Sequence, residues 1–323
     1  MAQRILEPGQ IESLAIASIP RIRLPERDTL FARRAARIRK LSSGAAIGDY
    51  LQFLAVLVDA QHGALAHVQA AVPTAAQIET SNSHGMPPIH ASTWPRAQQW
   101  RETLEYLCAA LAAQAGFPAR VSENISRLRR ASSAWIDDQA TAILEAQHDA
   151  VDASVAPVVM AALQVHWVAL AGGFAADKVK ALDIPGLCPL CGTLPVASMV
   201  CAHSPHQGLR YLHCSLCATE WHMVRVQCSA CGASGKNIGY HTLKNDTAAD
   251  KIPSAEGAAA VRAETCEQCR GYRKILYQEH DTGVDPVADD LASLALDLLL
   301  SEQGYHRASG NPLLWMSNAT AVS

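Results

Sequence analysis

From Asp49 to Val72, apolar residues return every three or four positions. Leu51, Leu54, Val58, Leu65 and Val68 fall near one face, which predicts an amphipathic helix. The same period over Arg96–Ala115 puts Trp100, Leu104, Leu107, Cys108 and Leu111 on an inner side, with Gly116 and Pro118 as the stop. Ser122–Ser132 and Trp135–Ala150 predict two more helices. The intervening Pro73–Pro95 holds four prolines and several Ser, Thr and Asn residues, the texture of a loop.

The longest apolar stretch, Val155–Ala175, would reach across a bilayer by length alone. It is built from alanine and valine and contains Pro157, Gln164 and His166, so a buried core helix is the expectation. At Leu182 the texture changes: Cys, Gly and β-branched residues take over and helical periodicity lapses until about Asp289. A last amphipathic helix is expected over Val287–Gln303, with Leu291, Leu294, Leu298 and Ser301 in register. A poorly ordered tail follows, anchored at most by Leu313, Leu314 and Trp315.

Composition narrows the function classes. The chain has 323 residues, 49% of them hydrophobic, and a net charge of −3, which gives no electrostatic case for nucleic-acid binding. Aromatics are only 5%, favouring closely packed helices over a large sheet core. Ile11–Pro20 is too short, and carries Glu12, to read as a secretory signal. Ten cysteines without an export signal point to metal or redox chemistry in a reducing compartment.

Eight of those cysteines form four Cys-x-x-Cys pairs: Cys188/Cys191, Cys214/Cys217, Cys228/Cys231 and Cys266/Cys269. Two intervening residues let both sulfurs reach one ion from a tight turn, and a following glycine, as at Gly192 and Gly232, relieves strain there. One pair is half a tetrahedron, so four pairs make two sites, each for one iron or zinc ion.

Ala218–Gln227 contains no Gly, Pro, Asn or Asp and reads as a strand. Extended at roughly 3.3 Å per residue it would part its ends by about 30 Å, whereas sulfurs on one ion lie within about 4 Å. The second and third pairs therefore belong to different sites. Sequential pairing is favoured over an interleaved cross-brace, because a hairpin running out over Leu194–Val200 and back over Leu209–His213 closes the shorter loop. Site one is then Cys188, Cys191, Cys214 and Cys217; site two is Cys228, Cys231, Cys266 and Cys269. A segment with so few large apolar residues leans on its metals, and stripping them is expected to unfold this half and spare the helical one.

Other residues carry less. Cys201, His203 and His206 read as a polar loop, Cys108 as a small buried hydrophobe, and His213 and His222 as neighbours of ligands or exposed groups. The sequons at Asn124, Asn245 and Asn318 read as chance occurrences. Gly235-Lys236 lacks the preceding glycine of a phosphate loop, and there is no nucleophile elbow, His-Glu-x-x-His or dinucleotide fingerprint. Both predicted sites are fully ligated, so no catalytic residue is assigned.

Several runs resemble the FdhE family of formate dehydrogenase accessory proteins. They are Cys188-Pro-Leu-Cys-Gly-Thr-Leu-Pro-Val-Ala-Ser198, His213-Cys-Ser-Leu-Cys-Ala-Thr-Glu-Trp-His222, Cys266-Glu-Gln-Cys-Arg-Gly-Tyr-Arg-Lys274 and Asp285-Pro-Val-Ala-Asp-Asp-Leu-Ala292. The resemblance spans roughly Gly186–Gln303. It implies a cytoplasmic factor that contacts the catalytic subunit of a molybdenum- or tungsten-containing respiratory formate dehydrogenase before export. It also implies that the eight paired cysteines bind iron in rubredoxin-like sites, structural or redox-active.

The expected architecture is α plus small β. A helical domain (1–181) precedes two rubredoxin-like or zinc-ribbon metal-binding subdomains (182–226 and 227–284), then a C-terminal helix and tail (285–323). The expected protein is a non-enzymatic cytoplasmic accessory factor holding two metal ions, iron preferred over zinc. It neither inserts in membranes nor binds nucleic acid, and homo-oligomerisation is left open. The rivals are an electron carrier or redox enzyme and, behind it, a nucleic-acid-binding zinc ribbon.

Overall fold

A computed structural model describes residues 19–43, 45–96, 98–203, 207–243 and 259–316. Asn245, His206, Asn318 and most of Ile11–Pro20 lie outside the described residues. The helical part comprises α1 (Leu30–Ser42), α2 (Gly48–Leu65), α3 (Ala75–Ser83), α4 (Gln99–Ala112), α5 (Ala119–Arg130), α6 (Ser133–Leu144) and α7 (Ala156–Ala171). Every residue of α7 is buried, which explains an apolar run with no polar face. Among the described residues no helix is long and apolar enough to cross a membrane. The polar Gln164 of α7 is fully used: its amide accepts from Gln61 Nε2 at 3.0 Å and donates to the Ser215 carbonyl at 2.7 Å. His166 is the exception, with neither ring nitrogen hydrogen-bonded to any described residue.

Boundaries moved where distant residues intervene. Helix α2 stops at Leu65 rather than near Val72 because the Arg27 guanidinium takes the Leu65 carbonyl (2.6 Å) and the Val68 carbonyl, satisfying the helix end from outside. Within the supposed loop Pro73–Pro95, α3 is nucleated by a capping box. The Thr74 backbone N–H donates to Gln77 Oε1 at 2.8 Å and the Gln77 N–H to Thr74 Oγ1 at 3.3 Å.

The strands are β1 (Ile22–Arg23), β2 (Pro195–Val200), β3 (Arg210–Cys214), β4 (Glu220–Met223), β5 (Ile238–His241), β6 (Val261–Cys266), β7 (Gly271–Tyr277) and β8 (His306–Arg307). β2–β3–β4 and β5–β6–β7 are two antiparallel three-stranded ribbons. They fuse into one sheet of order β1-β4-β3-β2-β7-β6-β5 through a parallel β2–β7 pairing, Ser198 opposite Ile275 and Val200 opposite Tyr277. β8 adds parallel to β7. The expected long strand after Cys217 is only β4, because left-handed residues at Ala218 (φ 57°) and Val226 (φ 59°) turn the chain at both ends.

The expected single C-terminal helix is two, α8 (Ala288–Ala292) and α9 (Leu294–Glu302), broken at Ser293. Lys274 of β7 reaches into the break: its ammonium donates to the Asp290 carbonyl (2.7 Å), the Ser293 carbonyl (3.1 Å) and Asp297 Oδ2 (2.7 Å). The break rotates the face, so Leu296 and Leu300 are buried and Leu298 is exposed. The following segment is docked at the expected anchor, and residues 317–323 lie outside the described residues. Leu313 is buried, Tyr50 donates its hydroxyl to the Leu313 carbonyl, and Asn311 donates to the Val287 carbonyl at 3.0 Å. Helix α1 is pinned to α8 by Arg37–Asp289 (2.9 Å) and to the turn before it by Arg34–Asp285 (3.1 Å).

One apolar core runs from the helices into the first ribbon and takes in Cys188, Cys191, Cys214 and Cys217. A small separate cluster joins Ala263 and Tyr272 of the second ribbon to Leu296 and Leu300 of α9 and to Tyr305 after it.

Candidate metal centres

Each Cys-x-x-Cys pair sits in the same turn. The Cys188 N–H donates to the Thr193 carbonyl (2.9 Å) and the Gly192 N–H to the Cys188 carbonyl (2.8 Å). Cys228 and Ala233 (2.7 Å) and Gly232 and Cys228 (3.0 Å) repeat the pattern. The residue after the second cysteine is left-handed in all four turns: Gly192 (φ 77°), Ala218 (57°), Gly232 (79°) and Arg270 (57°). Glycine therefore marks only two of four equivalent positions, and Ala218 and Arg270 hold the same conformation at a cost of about 1 kcal/mol each.

The turns bring the sulfurs together in sequential pairs. Cys188 Sγ lies 3.6 Å from Cys217 Sγ and Cys191 Sγ lies 3.4 Å from Cys214 Sγ. In the second group Cys228 and Cys269 are 3.8 Å apart and Cys231 and Cys266 3.6 Å. Within each group all four sulfurs lie within 4.8 Å of one another. Metal–sulfur bonds of about 2.3 Å set tetrahedral sulfur–sulfur edges of about 3.8 Å, so both groups have the size of a tetrathiolate ion site. No other group of three or more His, Cys, Asp or Glu residues among the described ones is placed to hold an ion. Cys108 and Cys201 stand apart as buried free thiols; burial pushes the Cys108 thiol up to about 12.

The donor chemistry also fits a cation. Burial pushes the Cys188 and Cys217 thiols well above the ordinary range. At Cys214 the same burial is outweighed by hydrogen bonds from the three neighbouring sulfurs and Thr193, which hold it well below. Four sulfurs this close and this buried cannot all ionise without a positive charge among them, and a divalent ion supplies it.

The surroundings differ between the groups. At the first, the Thr193 hydroxyl lies 3.0 Å from Cys214 Sγ and the Thr219 hydroxyl 3.2 Å from Cys217 Sγ. The segment after α3, expected to be a plain loop, clamps the first turn. The Ile89 N–H donates to the Leu190 carbonyl (3.1 Å), the Ala91 N–H to the Cys191 carbonyl (2.9 Å), and Trp167 Nε1 holds the Ile89 carbonyl (3.2 Å). Sequence reasoning passed over this clamp, whose only local trace is the capping box that starts α3. His213 is buried beside Cys214: Arg34, having only donors, donates to its Nε2 (3.2 Å), so Nδ1–H faces Glu220 (3.2 Å). His222 is half-buried and pairs edge-on with Tyr211. The second group has Ala233 and Gly271 where the first has its two threonines, and Cys231 is exposed.

Three family models cover the chain: FdhE, N-terminal (residues 19–183), FdhE, central domain (187–225) and FdhE, C-terminal domain (226–314). The chain is 38% identical to the "Protein FdhE homolog" of Cronobacter sakazakii over 320 residues, 98% of each chain. It is also 38% identical to "Protein FdhE" of Escherichia coli K12 over 311 residues, 96% of each. The crystal structure of the FdhE protein from Pseudomonas aeruginosa aligns with a TM-score of 0.80 at 40% identity, covering 91% of this chain and 99% of that one. With most of its length matched by domain models, relatives and a solved fold alike, the chain belongs to the FdhE family of formate dehydrogenase accessory proteins.

Proposed function

We propose that this chain is a non-catalytic maturation factor that meets the catalytic subunit of a respiratory formate dehydrogenase in the cytoplasm, before export. Cys188, Cys191, Cys214 and Cys217 hold one metal ion, and Cys228, Cys231, Cys266 and Cys269 hold another, iron in the native state. The observation that carries the reading is the presence, in an FdhE-family chain, of two sulfur groups with tetrahedral edges of 3.4–3.8 Å. Four thiolates leave no open coordination position for substrate, which favours a structural or electron-carrying ion over a hydrolytic one. Bound iron would supply one-electron chemistry there. The exposed Cys231 gives the electron-carrier reading its one specific support, since electrons pass to a partner through a ligand at the surface.

Metal content and absorption spectrum of full-length protein purified without oxygen test the assignment. Two irons per chain with thiolate-to-iron charge-transfer bands are expected; a chain that emerges metal-free and binds none on reconstitution would sink it. For the accessory role, Cys188→Ser is expected to abolish formate dehydrogenase activity in cells that depend on this protein, and full activity there would count against it.

A further inference from the structure

The charges around the two centres do not balance alike. Near the first, Arg34 pairs with Asp285 (3.1 Å) and Arg23 with Glu220 (3.2 Å), cation for carboxylate. Near the second, the buried Arg210 takes Glu264 (2.8 Å), Lys274 takes Asp297 (2.7 Å) and Arg307 takes Asp290 (2.6 Å). Arg273 of β7 is left over. It is 4% exposed and makes no ion pair with any described residue. Its guanidinium donates only to neutral oxygens: Ser229 Oγ at 2.8 Å, Ser309 Oγ at 2.5 Å and the Pro195 carbonyl. A buried cation without a counter-charge is among the costliest arrangements in a protein.

The position of that cation names its missing partner. Ser229 lies in the turn between Cys228 and Cys231, and Pro195 opens the strand that leaves the first cysteine turn. A cavity of about 10 Å³, the room of one water, is lined by Arg273 together with Cys228 and Cys266. The two turns are themselves in contact, since a Cβ added at Gly186, two residues before Cys188, would fall 2.1 Å from the Ser229 carbonyl oxygen. Burial, then the neighbouring guanidiniums of Arg210 and Arg307, pull the Arg273 pKa down to about 9, while Cys228 and Glu264 oppose that pull.

Resting on the metal assignment above, we propose that Arg273 is the counter-ion of the second centre. Its guanidinium, anchored on Ser229, balances the net negative charge that four thiolates leave around a divalent or trivalent ion. Arg273 is a positioning and charge-balancing residue, not a ligand. Its bond to the Pro195 carbonyl ties the second centre to the strand that carries the first. The dependence is one-sided: the Arg273 charge falls beside the second centre, while the cations near the first are already committed to carboxylates.

Cadmium-loaded full-length protein, in which each tetrathiolate ion gives its own NMR resonance, reads the two centres separately under a chelator challenge. Arg273→Gln is expected to speed loss of the second resonance about tenfold and leave the first unchanged, the scale on which neighbours of ligands act. Arg273→Lys, which keeps the charge, should stay within about threefold of the parent. Equal retention in Arg273→Gln and parent, equal acceleration at both centres, or a lysine variant no better than glutamine would each overturn the proposal. If Arg273→Gln does not fold, Ser229→Ala replaces it: second-centre loss about threefold faster is expected, and unchanged loss overturns the proposal. A parent chain that takes up no cadmium overturns the metal assignment itself, a different and recognisable failure.

Discussion

The two four-cysteine groups share one turn geometry and almost nothing else. At the first, no cysteine is more than 1% exposed, the sulfurs belong to the main apolar core, and helices α2 and α7 reach it through Gln61 and Gln164. At the second, Cys231 is exposed, Cys269 half-buried, and the adjoining cluster holds only five buried side chains. A cysteine motif thus fixes the size of a site, while the surrounding chain decides whether that site is a keystone or a surface feature. The expectation that metal loss would spare the helical half needs revision for the first centre, whose wall is made by helical residues.

Paired serine variants give the largest separation. Cys188→Ser breaks the buried centre, where a bound ion would be worth on the order of 10 kcal/mol of folding free energy, as in small structural sites. It should lower the melting temperature of the whole chain, helical signal included. Cys231→Ser should cost one metal per chain and leave the helical melt close to that of the parent. Circular dichroism with metal analysis reads both, and a helical melt equally damaged by both variants would erase the distinction.

Acid should act next, and first on the keystone side. His166 lies on α7, one residue from the Trp167 that holds the Ile89 carbonyl, and has no hydrogen-bond partner on either nitrogen among the described residues. Burial, helped by the Arg96 charge, pulls its pKa down to about 4. The unfolded chain, with an ordinary histidine near about 6.5, therefore takes up the proton before the folded one. Folding stability is lost as pH falls from about 6.5 to about 4, by up to about 3 kcal/mol, and this contribution levels off below that. Thiolates are protonated in acid as well, so the measurement is a difference: denaturant melts of parent and His166→Leu across this range. The stability of the parent relative to His166→Leu should fall as pH falls through this range. A constant gap would show that the proton never reaches His166.

What could be read from the sequence was local. The four Cys-x-x-Cys pairs follow from spacing and the all-round apolar α7 from composition; the sequential grouping is favoured by loop closure, while the long strand also invoked for it is only β4. What escaped was set by distant partners. Arg27 ends α2, Lys274 divides the last helix, and residues Ile89 and Ala91 clamp the first turn from about a hundred positions away. Even within the motif, glycine signalled two left-handed positions, while Ala218 and Arg270 carry the others without any mark in their residue type.

Those two glycines offer the finest division between the centres. Gly192→Ala and Gly232→Ala impose the same left-handed penalty of about 1 kcal/mol. Around Gly232 an added Cβ meets nothing within 4 Å, so the penalty should stand alone. At Gly192 it would lie 2.8 Å from His90 Cδ2 and 3.3 Å from Pro87, and the His90 ring is held by Ser92 Oγ at 3.0 Å. Crowding should add about 1 kcal/mol there, at the low end for overpacking. Chemical denaturation should therefore rank Gly192→Ala below Gly232→Ala, and His90→Ala in the Gly192→Ala background should close most of the difference. If removing the imidazole recovers nothing, contact with the clamp is not what makes the first turn less tolerant, and burial of its sulfurs must account for the difference instead.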